Sequence, residues 1–257
     1  MIDDVAVPWR AVGGVPFTVM ALNDAIDKIV TLGSRRLDHG LAVHFVNAYN
    51  VALADSDPVY ARLLAAGDLV FTDGLPVAWV GRRLHRDVAA QWTRVYGPDV
   101  LTGVLEKSNL EEPRHYFLGG TPETLDALVT RVQTRWPAAK IAGFESPLFR
   151  QASAEELVER DERIVESGAT LVWVGLGTPK QDQEVRRLAD SVPVMALAVG
   201  AAFDFLAGTK AQAPVWVQRS GLEWAFRLAT EPRRLMKRYL WGNPRFVVAA
   251  IRRRKGL

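Results

Sequence analysis

The sequence contains no cysteine, and this absence excludes disulfide bonds, thiolate metal ligands and a cysteine nucleophile. It has only four histidines, and their positions do not show the spacing of a metal-binding motif. No apolar run approaches the roughly 20 residues of a membrane-spanning helix, because the longest covers only residues 192–203. The first residues lack a basic segment followed by an apolar one, so no signal peptide is expected. We therefore expect a folded protein that does not cross a membrane and has neither a metal site nor a cofactor.

Acidic residues are missing from the last 25 positions, 233–257, which hold nine Lys or Arg. Because the whole chain has a formal charge of only +3, residues 1–232 sum to −6 and the C-terminal segment to +9. Apolar side chains such as Leu240, Trp241 and Ile251 lie between these cations. This pattern favours contact with an anionic bilayer or a phosphorylated ligand. A nucleic-acid partner is not expected, since the body is acidic and carries no recognition motif.

Short runs rich in Val, Leu, Phe and Trp alternate with helical patterns as far as residue 211. This alternation is typical of strand–helix units that build a parallel sheet. The predicted strands are 43–46, 69–72, 115–118, 141–144, 171–174 and 194–199. The predicted helices are 23–32, 58–66, 75–84, 99–107, 122–136, 154–167 and 179–188. The sequence therefore predicts an α/β, Rossmann-like fold with a mainly parallel sheet flanked by helices.

After residue 211 the alternation stops and Arg-rich helical sequence follows, with predicted helices at 222–228, 233–240 and 245–255. We place a core at 1–211 and a basic helical appendage at 212–257. At helical spacing, Arg227, Arg234 and either Lys237 or Arg238 share a face. Such a cluster binds a diphosphate through charge-assisted hydrogen bonds, or is simply a solvated basic helix.

Several helix starts carry their own signals. Asp57, Thr121 and Thr178 each precede a proline and are predicted to cap the helix that follows. Ser153 with Glu156 has the pattern of a capping box. The segment 55–57 also matches the Asp-X-Asp pattern of metal-dependent sugar transferases, but the proline that follows favours a helix-end role. No metal site is predicted.

Two segments, 116–128 and 172–185, run from a strand through glycines and Thr-Pro into a helix. Glycines at such a turn let backbone N–H groups approach a ligand, and the helix N-terminus favours anions. The glycines concerned are Gly119, Gly120, Gly175 and Gly177. The pattern fits a nucleotide or diphosphate cradle, and it also fits a tight turn without a ligand. Neither segment has the spacing of a dinucleotide or phosphate-loop motif, so NAD and ATP are poorly supported.

Polar residues stand where three predicted strands end: Asn47, Asp73 and Asp204. The carboxyl ends of parallel strands are where α/β proteins bind ligands, so Asp73 is a candidate general base. An Asp-Gly pair is also a common turn. Three polar groups in equivalent places favour a site over a turn.

In chain order these segments resemble the WecG/TagA/CpsF family, glycosyltransferase family 26. The matching stretches, which cover roughly residues 40 to 240, are VNAYNVALA, DLVFTDGLPV, RVYGPDV, YFLGGTPETL, VGLGTPKQDQE, VGAAFDFLAG and GLEWAFRLATEPRRLMKR. The resemblance implies metal-independent, inverting transfer of a sugar from a UDP-sugar to a polyprenyl-diphosphate-linked sugar. The best-known members transfer N-acetylmannosamine, and the products belong to cell-surface polysaccharide or teichoic-acid-type synthesis.

The resemblance also implies roles for residues. The family's base falls on Asp73, its donor-site asparagine on Asn47 and the glutamine of its Pro-Lys-Gln motif on Gln181. Its basic C-terminal residues, thought to close over the donor diphosphate, fall on the cluster defined above. We add to the donor site Arg94, the four turn glycines and Asp204. On this basis residues 1–211 form the catalytic core.

The chain departs from the family at Phe45, where many members have Thr, and at Asp182, where many have Glu. These departures leave the donor sugar open. UDP-glucose and UDP-glucuronate in exopolysaccharide assembly are alternatives, and so is a nucleotide-binding protein that has lost catalysis. The expected location is cytoplasmic, peripheral at the inner face of the plasma membrane through the basic tail. Homo-oligomerisation is left open.

Overall fold

A computed structural model describes residues 8–253. The strands are β1 (Trp9–Val12), β2 (Val15–Thr18), β3 (Leu41–Val46), β4 (Leu69–Thr72), β5 (Arg114–Gly119), β6 (Lys140–Glu145), β7 (Leu171–Gly175) and β8 (Met195–Ala198). The helices are α1 (Leu22–Gly33), α2 (Ala48–Ser56), α3 (Pro58–Ala65), α4 (Leu75–Leu84), α5 (Gly97–Lys107), α6 (Pro122–Arg135), α7 (Ala154–Glu166), α8 (Lys180–Ser191), α9 (Ala202–Ala207), α10 (Val215–Ser220), α11 (Glu223–Thr230) and α12 (Pro232–Arg252). A 3₁₀ turn covers Arg86–Val88.

Six strands form one parallel sheet in the order β4-β3-β8-β7-β5-β6, and β1 and β2 form an antiparallel hairpin. The fold is α/β with helices flanking the sheet, so the predicted Rossmann-like class is confirmed. Register pairs Leu41 with Met195 and Leu171 with Met195, which places the ends of β3, β7 and β8 at one edge. Ligand-binding residues in such sheets lie at the carboxyl ends of the strands.

The chain divides into two compact units. Among the described residues, the first comprises 8–22, 45–96 and 212–253, and the second comprises 23–44 and 97–211. Within the first unit, side chains of the hairpin, α2 and α12 share one apolar core that includes Phe17, Val51, Phe246 and Ala249. One face of the C-terminal helix is thus part of this unit's core. In the second unit, β5, β7 and β8 pack against α7 and α8 through a separate apolar cluster.

All six predicted strands and all seven predicted helices before residue 211 are observed, with ends displaced by at most three residues. Asp57 Oδ1 accepts hydrogen bonds from the backbone N–H groups of Val59 (2.8 Å) and Tyr60 (3.2 Å), as expected of a cap. Thr121 and the Ser153 capping box are likewise confirmed. Thr178 was predicted wrongly, because Pro179 takes the N-cap position of α8 and no side chain caps it.

The C-terminal prediction also needs correction. Two helices were expected after residue 232, separated near Pro244, but α12 continues through that proline. Phe246 and Ala249 are buried beyond it, and their packing holds the helix in one piece. The predicted helix end at 255 lies outside the described residues. Across residues 8–253 there is no helix with the length and apolar character to cross a bilayer.

Candidate active site

Asn47 and Asp73 follow two neighbouring strands and are brought together in the first unit. Asn47 directly follows β3, and Asp73 directly follows β4. The Asp73 N–H donates to the Val46 carbonyl at 3.0 Å. A Cβ added at Gly74 would lie 3.3 Å from the Asn47 Cβ. The predicted base and the predicted donor-site asparagine are therefore adjacent at the carboxyl end of the sheet.

The side chain of Asn47 is fixed by its role as the N-cap of α2. Its Oδ1 accepts from the Tyr49 N–H at 3.0 Å, and its own N–H donates to Asn50 Oδ1 at 3.2 Å. This reciprocal pair commits the amide oxygen to the helix. Among the described residues, none accepts a hydrogen bond from Asn47 Nδ2. The amide nitrogen is thus the group of Asn47 that can donate to a ligand.

Arg94 holds the turn that carries Asp73. Its Nε donates to the Asp73 carbonyl at 2.8 Å, and its guanidinium stacks over the Tyr96 ring at 3.7 Å. Its Nη2 forms an ion pair with Glu223, whose other carboxylate oxygen accepts from the Tyr96 hydroxyl at 2.8 Å. Burial lowers the pKa of Arg94, but the charges of Glu223 and Asp73 outweigh burial and raise it. Arg94 is therefore a permanently charged group with protein partners.

Glu223 and Tyr96 were not singled out from the sequence. Both stand inside stretches that carry the family resemblance, GLEWAFR and RVYG, so a signal was present. What the sequence does not show is their contact, since 127 positions separate them. Burial and the nearby Glu223 carboxylate raise the pKa of Tyr96, which therefore keeps its proton and donates it.

Arg238 on α12 is a cation that has no carboxylate partner among residues 8–253. Its guanidinium stacks over the Tyr49 ring at 4.1 Å. Its Nε is shielded from solvent and has no hydrogen-bond partner in the part of the chain described. Burial lowers the pKa of Arg238, and the charges of Arg227 and Arg234 lower it further. Three guanidinium groups from α11 and α12 therefore lie close together, which we call the arginine cluster.

The other cations of this region differ in their surroundings. Arg234 Nε donates to Glu231 Oε2 at 2.7 Å, so Arg234 carries a local counter-charge. Lys237 is exposed, whereas the Nε of Arg238 is shielded from solvent.

Tyr239 is close enough to the arginine cluster and to Glu223 for their charges to act on it. Burial raises the pKa of Tyr239, although the charges of Arg227 and Arg238 oppose the rise. The charge of Glu223 acts on the same hydroxyl. Trp224 packs edge-on against the Tyr239 ring, with 6.0 Å between centroids. The arginine cluster, Tyr239 and Glu223, all on α11 and α12, are thus close enough to interact electrostatically.

In the second unit, the two predicted glycine turns lie side by side. Gly119 and Gly175 pair across β5 and β7, and a Cβ at Gly119 would lie 2.7 Å from the Gly175 carbonyl. Gly119, Gly120 and Gly177 have positive φ angles of 124°, 76° and 77°. A Cβ at Gly177 would meet nothing within 4 Å, so its backbone faces open space. Phe203 closes the space beside Gly175, where a Cβ would lie 2.6 Å from the ring.

Gln181 is buried and its amide is committed to protein groups. Its Oε1 accepts from the Gly177 N–H at 3.0 Å, and its Nε2 donates to the Ala198 carbonyl at 3.1 Å. The residue therefore ties the second glycine turn to the end of β8. Asp204, at the start of α9, accepts from Lys210 Nζ at 2.6 Å and keeps about a quarter of its side chain exposed.

Phe149 is a further candidate that the sequence gave no reason to select. Its side chain is fully exposed in the loop after β6. Lys180 Nζ lies 6.0 Å from its ring centroid, and Ser146 in the same loop donates to the Gly120 carbonyl at 2.8 Å. An exposed aromatic ring next to a cation and a glycine turn can stack a planar base.

Phe45, which stands where many family members have Thr, belongs to the interior of the first unit. Its ring packs against Phe71, with 5.7 Å between centroids, and it is buried. The departure from the family pattern is thus accommodated by core packing between the ends of β3 and β4.

The Asp-X-Asp segment has partners within the protein. Asp55 accepts from Arg245 Nε at 3.1 Å, which joins α2 to α12, and Asp57 caps α3. The expectation that Asp55 is only a helix-end charge was incomplete, because it pairs with a cation 190 positions away. Among residues 8–253 no group of three or more His, Asp or Glu is arranged to hold a metal ion.

The sequence model of the "Glycosyl transferase WecG/TagA/CpsF family" matches residues 10–257. This match covers nearly the whole chain and includes the hairpin and the C-terminal helices as well as the sheet. Members of this family use a nucleotide-sugar donor and a sugar acceptor. The chain belongs to the WecG/TagA/CpsF family and is a glycosyltransferase of cell-surface polysaccharide synthesis.

Proposed function

We propose that the protein transfers a sugar from a UDP-sugar to a polyprenyl-diphosphate-linked sugar, with inversion and without a metal ion. N-acetylmannosamine is the sugar of the best-known relatives and is our first candidate. The observation that carries the proposal is Arg238, a shielded cation that has no carboxylate partner in the described part of the chain and lies beside two further arginines. Such a group is costly to bury unless an anion completes it, and a nucleotide diphosphate is such an anion.

Asp73 is the proposed general base. In an inverting transfer, one carboxylate takes the proton from the acceptor hydroxyl while that oxygen attacks the anomeric carbon. A second carboxylate is not needed, because the sugar is displaced in a single step. We assign to Asn47 Nδ2 a hydrogen bond to a hydroxyl of the donor sugar, since Asn47 lies next to the turn that carries Asp73.

The arginine cluster is proposed to stabilise the leaving group. As the glycosidic bond breaks, UDP gains negative charge that a metal ion would otherwise neutralise. Arg227, Arg234 and Arg238 supply positive charge already in place, which is the most effective form of electrostatic stabilisation. In this sense residues 212–257 act as a functional module, although α12 shares the core of the first unit.

The second unit offers groups suited to the nucleoside. The backbone around Gly177 faces open space, and Gln181 keeps that turn in place. Phe149 provides a flat ring on which uracil can stack. We assign the glycine turns, Phe149 and Asp204 to donor binding on the geometry of this unit alone.

The first test is transfer by the purified protein from a panel of UDP-sugars to a lipid-diphosphate-linked N-acetylglucosamine analogue, with EDTA present. UDP release with one donor would support the proposal and identify the sugar, including UDP-glucose or UDP-glucuronate. Loss of activity in EDTA would contradict metal independence. Tight UDP binding without turnover, across donors and acceptors, would favour the catalytically silent alternative.

Asp73→Asn should lower kcat by about 10²–10⁴-fold, because the general base is lost while its shape is kept. UDP affinity should stay within about threefold of the parent. Asp87→Asn is the matched control, since Asp87 pairs with Arg10 at the surface of the same unit. An Asp73→Asn protein with parental kcat would show that another group takes the proton.

We also propose peripheral binding to an anionic membrane through α12. Leu240, Val247 and Ile251 are exposed and lie at helical spacing on one face, and Lys237 and Arg252 flank them. Apolar side chains can insert between headgroups, and each nearby cation adds about 1 kcal/mol on an anionic leaflet. Exposed Trp79, Trp216, Leu222 and Trp224 of the same unit fit a lipid-linked acceptor.

Flotation with anionic liposomes tests this contact. Truncation after Trp241 would remove Phe246 and Ala249 from the core, so paired substitutions are preferable. Leu240→Ser with Ile251→Ser should reduce flotation severalfold, because two exposed apolar groups leave the membrane face. Val158→Ser with Val165→Ser, on exposed positions of α7, is the control. Equal flotation of both double variants would show that α12 is not the contact.

A further inference from the structure

Both backbone groups of Asp73 are held in place. Its N–H donates to the Val46 carbonyl at 3.0 Å, and its carbonyl accepts from Arg94 Nε at 2.8 Å. The first bond belongs to the sheet edge, whereas the second depends on a side chain. The position of the proposed base therefore depends on where the Arg94 guanidinium is kept.

Glu223 determines where that guanidinium is kept. It is the first residue of α11, and its carboxylate receives one hydrogen bond from Arg94 and one from the Tyr96 hydroxyl. Its side chain is only 15% exposed, and that of Arg94 14%, so solvent screens the pair little. Tyr96 also lies under the guanidinium plane. Glu223 and Tyr96 together fix the orientation of Arg94.

The charge of Arg94 affects how strong a base the Asp73 carboxylate can be. Arg94 interacts electrostatically with both Glu223 and Asp73. Without Glu223, the cation would have the Asp73 carboxylate as its remaining nearby anion among the described residues. A carboxylate paired with a guanidinium is a weaker base, because the ion pair favours its charged form.

We propose that Glu223 is a positioning residue: by holding Arg94, it keeps the Asp73 carboxylate available as base and links α11 to the catalytic turn. This inference rests on the proposed function of Asp73. It adds a physical connection between the C-terminal helices and the base. α11 also carries Arg227, and the charge of Glu223 acts on the hydroxyl of Tyr239 in α12. Diphosphate binding by α11 and α12 and the placement of the base are thereby coupled.

Steady-state kinetics of Glu223→Gln test the proposal. Glutamine keeps the size of the side chain, but it loses the charge that holds Arg94, and its single amide oxygen can accept only one of the two hydrogen bonds. We expect kcat to fall by about tenfold or more while KM for the donor changes by less than about threefold. The acid limb of the pH profile of kcat/KM should move to lower pH, because Arg94 then has Asp73 as its nearby carboxylate. Tyr96 also acts on Arg94, and Tyr239 interacts with Glu223.

Further variants separate positioning from a general structural effect. Tyr96→Phe removes the second hydrogen bond to Glu223 and should lower kcat by a smaller factor. Adding Glu223→Gln to Arg94→Gln should cost little more than Arg94→Gln alone, since both act through one guanidinium. Asp87→Asn, which breaks a surface ion pair in the same unit, should leave kcat unchanged. A folded Glu223→Gln protein with parental kcat and pH profile would overturn the proposal.

Hydrogen exchange gives a readout that does not depend on turnover. In Glu223→Gln, the Asp73 amide should exchange at least about tenfold faster than in the parent, because the turn has lost one of its two anchors. The Asp87→Asn protein should show the parental rate. If the parent releases no UDP with any donor, the proposed function fails, and exchange still decides the link from Glu223 to the turn. Unchanged exchange at Asp73 would refute that link.

Discussion

Replacing Arg238 with methionine should stabilise the ligand-free protein and weaken its binding of UDP. Methionine keeps an unbranched stem that can pack against Tyr49, and it removes the charge. Because the pKa of Arg238 is lowered in the folded protein, folding disfavours its charged form at every pH at which the unfolded chain is protonated. The same charge is the group proposed to meet the diphosphate. Stability and binding should therefore change in opposite directions.

The magnitudes follow from the contacts. A shielded donor without a partner costs about 1–3 kcal/mol, while the stacking of the guanidinium on Tyr49 returns about 0.5–1 kcal/mol. The variant should gain on the order of 1 kcal/mol, or about 2–4 °C in Tm for a chain of this size. Losing a charge-assisted hydrogen bond to phosphate should cost about 1.5–3 kcal/mol of binding, which is about 10–150-fold in Kd.

Thermal unfolding with and without UDP, together with calorimetric titration, measures both effects. UDP should raise the Tm of the parent more than that of Arg238→Met, since stabilisation by a ligand falls as its Kd rises. Arg233→Met removes an exposed cation of the same helix and should change neither quantity. A variant that is less stable than the parent and binds UDP equally well would refute the reasoning, and would make Arg238 a structural residue.

Two further predictions concern the second unit. Gln181→Ala should lower the free energy of unfolding by about 1–3 kcal/mol, because the Gly177 N–H and the Ala198 carbonyl lose their hydrogen-bond partner. Urea denaturation measures this change, and an unchanged midpoint would contradict the prediction. Burial lowers the pKa of His115 from 6.5 to about 3, so the folded protein excludes a proton that the unfolded chain binds. Stability should therefore fall as pH drops below about 6.5, by up to about 1.4 kcal/mol per unit down to about 3, and His115→Gln should flatten this slope in unfolding measured against pH.

Most of the fold could be predicted because its signals are local. The apolar runs of the sheet are bounded by caps and glycines, and Asp57 and Ser153 mark helix starts within a few residues of the chain. Asn47 and Asp73 could be placed together for a topological reason, since parallel strands end at the same edge. One available signal was missed: Gly13-Gly14 between short β-branched and aromatic stretches is a hairpin pattern, and both glycines have positive φ.

What could not be predicted depends on packing between distant segments. The sequence of α2 lacks the pattern of a helix with one apolar and one polar face. The reason is that α2 lies between the core and α12 and is buried on several sides. α12 passes through Pro244 because Phe246 and Ala249 are buried further along it. Glu223 and Arg94 are 129 positions apart, so no local pattern announces their ion pair. The connection of the base to the C-terminal helices is a tertiary property.

The roles of the individual cations in the C-terminal segment also depend on tertiary structure. A total of +9 over 25 residues favours an anionic partner but does not say which cation meets it. Arg245 and Arg253 are used internally, since both pair with Asp55 and fasten α12 to α2. Arg238 lies near other arginines, so binding of a diphosphate would relieve the repulsion between their charges. Three further cations of the segment are exposed and form no ion pair within residues 8–253, namely Arg233, Lys237 and Arg252. Because these three charges are already hydrated, contact with a membrane surface costs little desolvation free energy. Leaving them in water costs the folded protein little as well. Ligand binding should therefore depend on Arg238 far more steeply than membrane binding depends on any single cation.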